Sequence, residues 1–128
     1  MKRDMEVVRK LLLYFEDKPD DRAVDKVDIE GYDAKAIGYH LILLYEAGLI
    51  EGEPYVSKTS KRIIDVMPFR LTWEGHEFLA AARNDTVWRK VLAKIASVAG
   101  DAPVAILKDL LMRALRAQMG DGAQGTDL

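Results

Sequence analysis

The side chains able to do chemistry are few and scattered along this chain. His40 and His76 are the only imidazoles, and each falls in a stretch whose apolar spacing reads as helix. His76-Glu77 opens like the HExxH zinc motif, but that motif needs a second His one turn further on, where this chain has Ala80. Both histidines therefore read as hydrogen-bonded structural residues. Glu74 and Glu77 flank His76 and have the chemistry for proton exchange. With no nucleophile nearby in sequence, they read as solvated carboxylates on an exposed helical turn. No serine sits in a nucleophile-elbow pattern. Gly120, Gly122 and Gly125 match GxGxxG, but no strand precedes them and no helix follows, so the match carries no phosphate site. The absence of cysteine removes thiol catalysis, disulfides and Cys-ligated zinc, and suits a reducing compartment. The expectation is no enzyme, no metal and no cofactor.

What is left for function is charge. The formal net charge is −2 and the pI near 5.7, which argues against a protein built mainly to coat polyanions. The charges are segregated, however. From Glu16 to Asp33 the chain is acidic, with Asp20, Asp21, Asp25, Asp28 and Glu30 among the contributors. Between Ser57 and Arg62 lie Lys58, Lys61 and Arg62 and no acid, and bases again outnumber acids from Arg83 to Arg116. Most charge runs are solvated faces; the functional alternative is a basic surface turned away from the acidic segment.

The elements that must position these residues are organised around Asp33–Ile50. Ile37, Leu41 and Leu44 recur at helical spacing. Asp33 stands where a carboxylate would cap the first turn, and Gly48 where a left-handed residue would end the last one. Tyr39, Ile42, Leu43 and Tyr45 make this central helix apolar on most sides, which predicts burial on most sides. Before it, Arg3–Glu16 reads as a helix with Met5, Val8, Leu11, Leu12 and Phe15 inward, ended by the Pro19 segment. Val27-Asp28-Ile29 alternates well enough for a short strand.

After the central helix comes a hairpin. Leu49-Ile50 and Tyr55-Val56 lead out, Ser57–Lys61 turns, and Ile63–Phe69 returns, with Pro54 and Pro68 marking edges or irregularities. Thr72 reads as the cap of a helix with Phe78, Leu79 and Ala82 inward. Asp85 or Thr86 would cap the next, in which Trp88, Val91, Leu92, Ile95 and Ala99 face the core and Arg89, Lys90 and Lys94 face water. Pro103 opens a last helix carrying Val104, Leu107, Leu111 and Leu115. The fold class is α+β, mostly α, as one domain over residues 1–119 with a disordered tail at 120–128.

The MKRDM start, the block YHLILLYEAGLI and above all LTWEGHEFLAAARNDTVWRKV resemble a family of uncharacterised bacterial and prophage-encoded winged-helix proteins, over roughly residues 1 to 110. That resemblance implies a winged-helix fold and a phage context, with no residue roles to carry over. More loosely, HLILLYEAGLI, the hairpin and LTWEGHEFL are similar to the recognition helix, wing and following helix of winged-helix transcriptional regulators. One departure stands out: Val27–Tyr32 leaves no room for the short helix that normally precedes the recognition helix.

Two functions of different class follow. As a DNA-binding regulator, the chain would place Lys35, Ala36 and Tyr39 in the major groove and lay Lys58, Lys61 and Arg62 of the wing along the backbone or minor groove. Against this, the central helix offers no Arg, Asn or Gln to read base edges, and acids precede it. As a protein-interaction module, the chain would use its over-apolar central helix and acidic segment on a protein partner. Either way the expectation is a cytoplasmic homodimer with no membrane partner, since no apolar run approaches the ~20 residues of a span and the charged N-terminus is no signal peptide.

Overall fold

A computed structural model describes residues 1–98, 106, 109–111, 113 and 114. It is a mixed α+β protein in the order α1 (Met5–Asp17), α2 (Ala34–Glu46), β1 (Ile50–Val56), β2 (Ile63–Leu71), α3 (Trp73–Ala82) and α4 (Asp85–Val98). The chain divides into two compact units, Met1–Glu77 and Phe78–Leu128.

In the first unit, α1 begins where Asp4 accepts a hydrogen bond from the Glu6 N–H. It buries Val7, Val8, Leu11, Leu12 and Phe15 at helical spacing, and Met5 is only half-buried. α2 is capped by Asp33, whose carboxylate accepts from the Ala36 N–H at 2.8 Å. It ends at Gly48, with φ +74°, a left-handed conformation that costs a residue without Cβ nothing. Ile37, Leu41 and Leu44 are its buried stripe. Tyr39, Ile42, Leu43 and Tyr45 are half-buried rather than buried, so the helix is less enclosed than its composition predicts.

The only sheet among the described residues is the antiparallel pair β1–β2. Register shifts at Glu51/Gly52 and Tyr55/Val56 bracket Pro54, in line with the irregularity that proline implies. Ile50, Val66 and Leu71 turn into the core with Leu49.

The strand expected at Val27–Ile29 does not form. Residues 18–33 contain neither helix nor strand, and the backbone bond this connection gives to β2 comes from Val24 rather than from Val27 or Ile29. Val27 is nevertheless buried. The connection is tied to β2 at two points: Val24 N–H donates to the Pro68 carbonyl at 3.0 Å, and the Lys18 ammonium donates to the carbonyls of Arg22 and Phe69.

Thr72 caps α3 as expected, its hydroxyl accepting from the Gly75 N–H at 3.0 Å. In the second unit, Phe78, Leu79 and Ala82 are buried, as is Trp88, and the Phe78 and Trp88 rings meet edge to face at 6.5 Å. The cap of α4 is Asn84, not Asp85 or Thr86: its side-chain oxygen accepts from the Val87 N–H at 3.1 Å. Val91 is buried and Leu92 half-buried, while Arg89, Lys90 and Lys94 are exposed. The burial of Ile95 and Ala99 lies outside the described residues. So do Val104, Leu107 and Leu115 of the expected last helix and the 120–128 tail; Leu111 is helical and buried.

Candidate functional site

The cationic turn is built by Ser57. Its hydroxyl accepts from the N–H groups of Thr59 and Ser60, and its own N–H donates to the Arg62 carbonyl at 2.8 Å. The Lys61 N–H closes back on the Ser57 carbonyl at 3.0 Å, and Lys61 takes φ +61°, sparsely populated for a residue with a Cβ. Lys58, Lys61 and Arg62 are all exposed on this one turn. Among the described residues none of the three has a carboxylate partner within ion-pair distance. Hydroxyl-bearing residues at 57, 59 and 60, each free to bond local backbone, were the legible sign of an ordered turn.

Lys35 and Tyr39 lie on α2, four residues apart and so on one stripe at 100° per residue, along with Ile42 and Glu46. Lys35 and Glu46 are exposed, and Tyr39 and Ile42 half-buried. The stripe therefore carries one base and one acid. Tyr39 also sets its ring edge against His40, with centroids 5.5 Å apart. The exposed acids Asp28, Glu30 and Asp33 lead directly into this end of the helix.

His40 is the one buried polar side chain among the described residues, 2% exposed. Its Nε2 accepts from the Asp4 N–H at 2.8 Å, so that nitrogen carries no proton. Nδ1 carries it and donates to the Ala36 carbonyl at 2.7 Å. Both ring nitrogens are spent on backbone, joining the start of α1 to α2. His76 is exposed, and the adjoining Glu77 accepts from the Trp73 indole N–H at 2.8 Å. Among the described residues no group of three or more His, Asp or Glu side chains is placed to hold a metal ion. No helix there is long and apolar enough to cross a membrane.

Sequence reasoning missed a second feature of the first unit. A groove of about 540 Å³ runs between the Val24–Val27 segment, the Ala34–Leu41 face of α2 and the Ile64–Pro68 stretch of β2. Its walls are mostly apolar, with Asp25, Lys26 and Asp65 the charged side chains lining it. No sequence signal marks such a groove, because its walls come from four separated segments, Tyr55 of β1 among them.

These features define a small mixed α+β protein whose N-terminal unit presents a cationic hairpin turn and an apolar groove. The chain belongs to the family described as Hypothetical protein (DUF2513), whose model matches residues 2–101. That is a family of uncharacterised proteins, as the resemblance implied. A relative described as an uncharacterized protein of Haemophilus influenzae is 36% identical over 111 residues, covering 86% of this chain and 92% of its own. No solved structure matches the chain.

Proposed function

We propose that the N-terminal unit is a winged-helix-like DNA-binding module in which the β1–β2 turn supplies the backbone contacts. One observation carries this: Lys58, Lys61 and Arg62 stand exposed and without acid partners on a single turn whose backbone is tied by Ser57. An ordered turn of this kind loses little conformational freedom on meeting a phosphate backbone. The order helix, helix, hairpin, helix supports a winged-helix scaffold from which the middle helix of the helix-turn-helix is absent.

On this reading affinity comes from the hairpin rather than from α2. Lys35 is the one cation on the exposed stripe of α2, and Asp28, Glu30 and Asp33 beside it repel phosphates. Lys35 and Tyr39 then modulate preference among sequences.

Each neutralised phosphate contributes a slope of about −0.9 in the logarithm of affinity against the logarithm of salt. Changing Lys58, Lys61 and Arg62 together to Ala should weaken binding on every duplex and flatten that slope by roughly 3 per protomer. Lys35→Ala and Tyr39→Ala should instead alter the ranking of duplex sequences. Fluorescence anisotropy with labelled duplexes across a salt series decides it. A wild-type protein that binds no duplex at low salt, or a triple variant with unchanged affinity and slope, overturns the proposal.

A further inference from the structure

The outer edge of β2, where it faces the groove, is occupied in a makeshift way. Val66 pairs with Pro54 of β1. The Val66 N–H bonds the carboxylate of its own neighbour Asp65, at 2.9 Å. Two residues on, and so on the same edge, the Pro68 carbonyl accepts from Val24 of the connection between α1 and α2. That edge thus already takes one backbone hydrogen bond from another segment, and beside it a carboxylate occupies the N–H that an added strand's carbonyl would take.

The groove walls are suited to the side chains such a strand would bring. Ile37 and Leu41 of α2 and Val66 of β2 give an apolar floor, while Tyr55 and Ile64 line the groove at 43% and 56% exposure. Gly38 opens the α2 wall: a Cβ added there meets nothing within 4 Å. The charge around the groove is predominantly negative. Asp25 and Asp65 line it, exposed Asp28 and Glu30 follow on the same connection, and the cation Lys26 is already 3.9 Å from Asp28.

We infer that this groove binds an extended peptide segment of a partner protein, in which apolar residues alternate with Lys or Arg, by strand addition to β2. The incoming carbonyl would take the Val66 N–H from Asp65. The released Asp65 carboxylate would then pair with a cationic side chain of the peptide, as would Asp25. Main-chain bonds supply affinity, and seating alternate apolar side chains on the groove floor supplies register. This site is separate from the cationic turn and holds whether or not that turn binds DNA.

The test uses the full chain and a fluorescein-labelled peptide of alternating valine and lysine, about nine residues long. Its controls are a peptide with every lysine changed to glutamate, and one N-methylated at alternate residues so that strand hydrogen bonds are lost. Saturable binding of the lysine peptide about tenfold tighter than both controls is expected. Gly38→Leu, which fills the groove from a helical position and improves helix propensity, should weaken it by about tenfold. Asp65→Asn should weaken it less, and Lys58, Lys61 and Arg62 changed to Ala should leave it unaltered. Equal binding of the three peptides, no binding at millimolar peptide, or an unaffected Gly38→Leu protein overturns the inference. So does a change of oligomeric state in peptide-free Gly38→Leu, which would make a second copy of the chain the occupant, or competition by duplex DNA that survives in the triple-alanine variant.

Discussion

Two glycine-to-alanine substitutions should change stability in opposite directions, for reasons readable atom by atom. At Gly75 an added Cβ would lie 2.0 Å from the Leu49 carbonyl oxygen and 3.3 Å from the Leu71 Cβ, where ordinary contact begins at 3.4 Å. The obstructing oxygen cannot swing aside. It accepts from the Thr72 N–H at 3.1 Å, and the Leu49 N–H is itself held by the Leu44 carbonyl at 2.9 Å. The start of α3 must therefore lift, straining the Thr72 cap. Overpacking of this kind costs about 1–3 kcal/mol and a lost backbone bond about 1 more, against roughly 1 returned by the better helix propensity of alanine. The net expectation is a loss of about 2 kcal/mol. Gly38 is also inside a helix, but its Cβ would meet nothing within 4 Å. Only propensity then operates, and Gly38→Ala should gain about 0.5–1 kcal/mol. Urea denaturation followed by far-ultraviolet circular dichroism, with unchanged m-values, measures both. A Gly75→Ala protein as stable as wild type would refute the close approach of α3 to Leu49, and a Gly38→Ala protein destabilised to the same degree would refute the open space beside α2.

The other expectations concern the core and assembly. His40→Ala should cost about 3 kcal/mol, combining a cavity with an Asp4 N–H left without its partner; a loss under about 0.5 kcal/mol in the same melts would show that the imidazole is dispensable. Trp88→Ala should cost about 3–5 kcal/mol, since the indole is 1% exposed and meets the Phe78 ring. Arg70→Ala should cost under about 1 kcal/mol despite its 2.9 Å bond to Glu51, because both side chains are about half exposed. The half-buried apolar residues of α2 together with exposed Val56 and Trp73, all outside the groove, lead us to expect a homodimer at micromolar concentration; light scattering that finds only the 14.4 kDa monomer up to high concentration would exclude it.

Much of the architecture was legible because it rests on rules that act within one or two turns of chain. The Asp33 cap, the Ile37-Leu41-Leu44 stripe, the Gly48 stop, the polar turn at 57–61 and the Thr72 cap each involve residues no more than a few positions apart. Local chemistry was ambiguous where neighbours were equivalent. Asn84, Asp85 and Thr86 all make good caps, and a shift of one residue decided for Asn84. It misled where a partner was needed. Val27-Asp28-Ile29 has the alternation of a strand, yet a strand exists only against another, and the contact to β2 is made by Val24 instead. What the tertiary structure alone decided lies between residues far apart in sequence. His40 meets Asp4 across 36 positions, Gly75 is required by the carbonyl of Leu49, and the groove is assembled from four segments, none of which carries its signature. Such approaches depend on where packing of the apolar faces brings the backbone, and periodicity specifies which face turns inward without specifying what it will meet there.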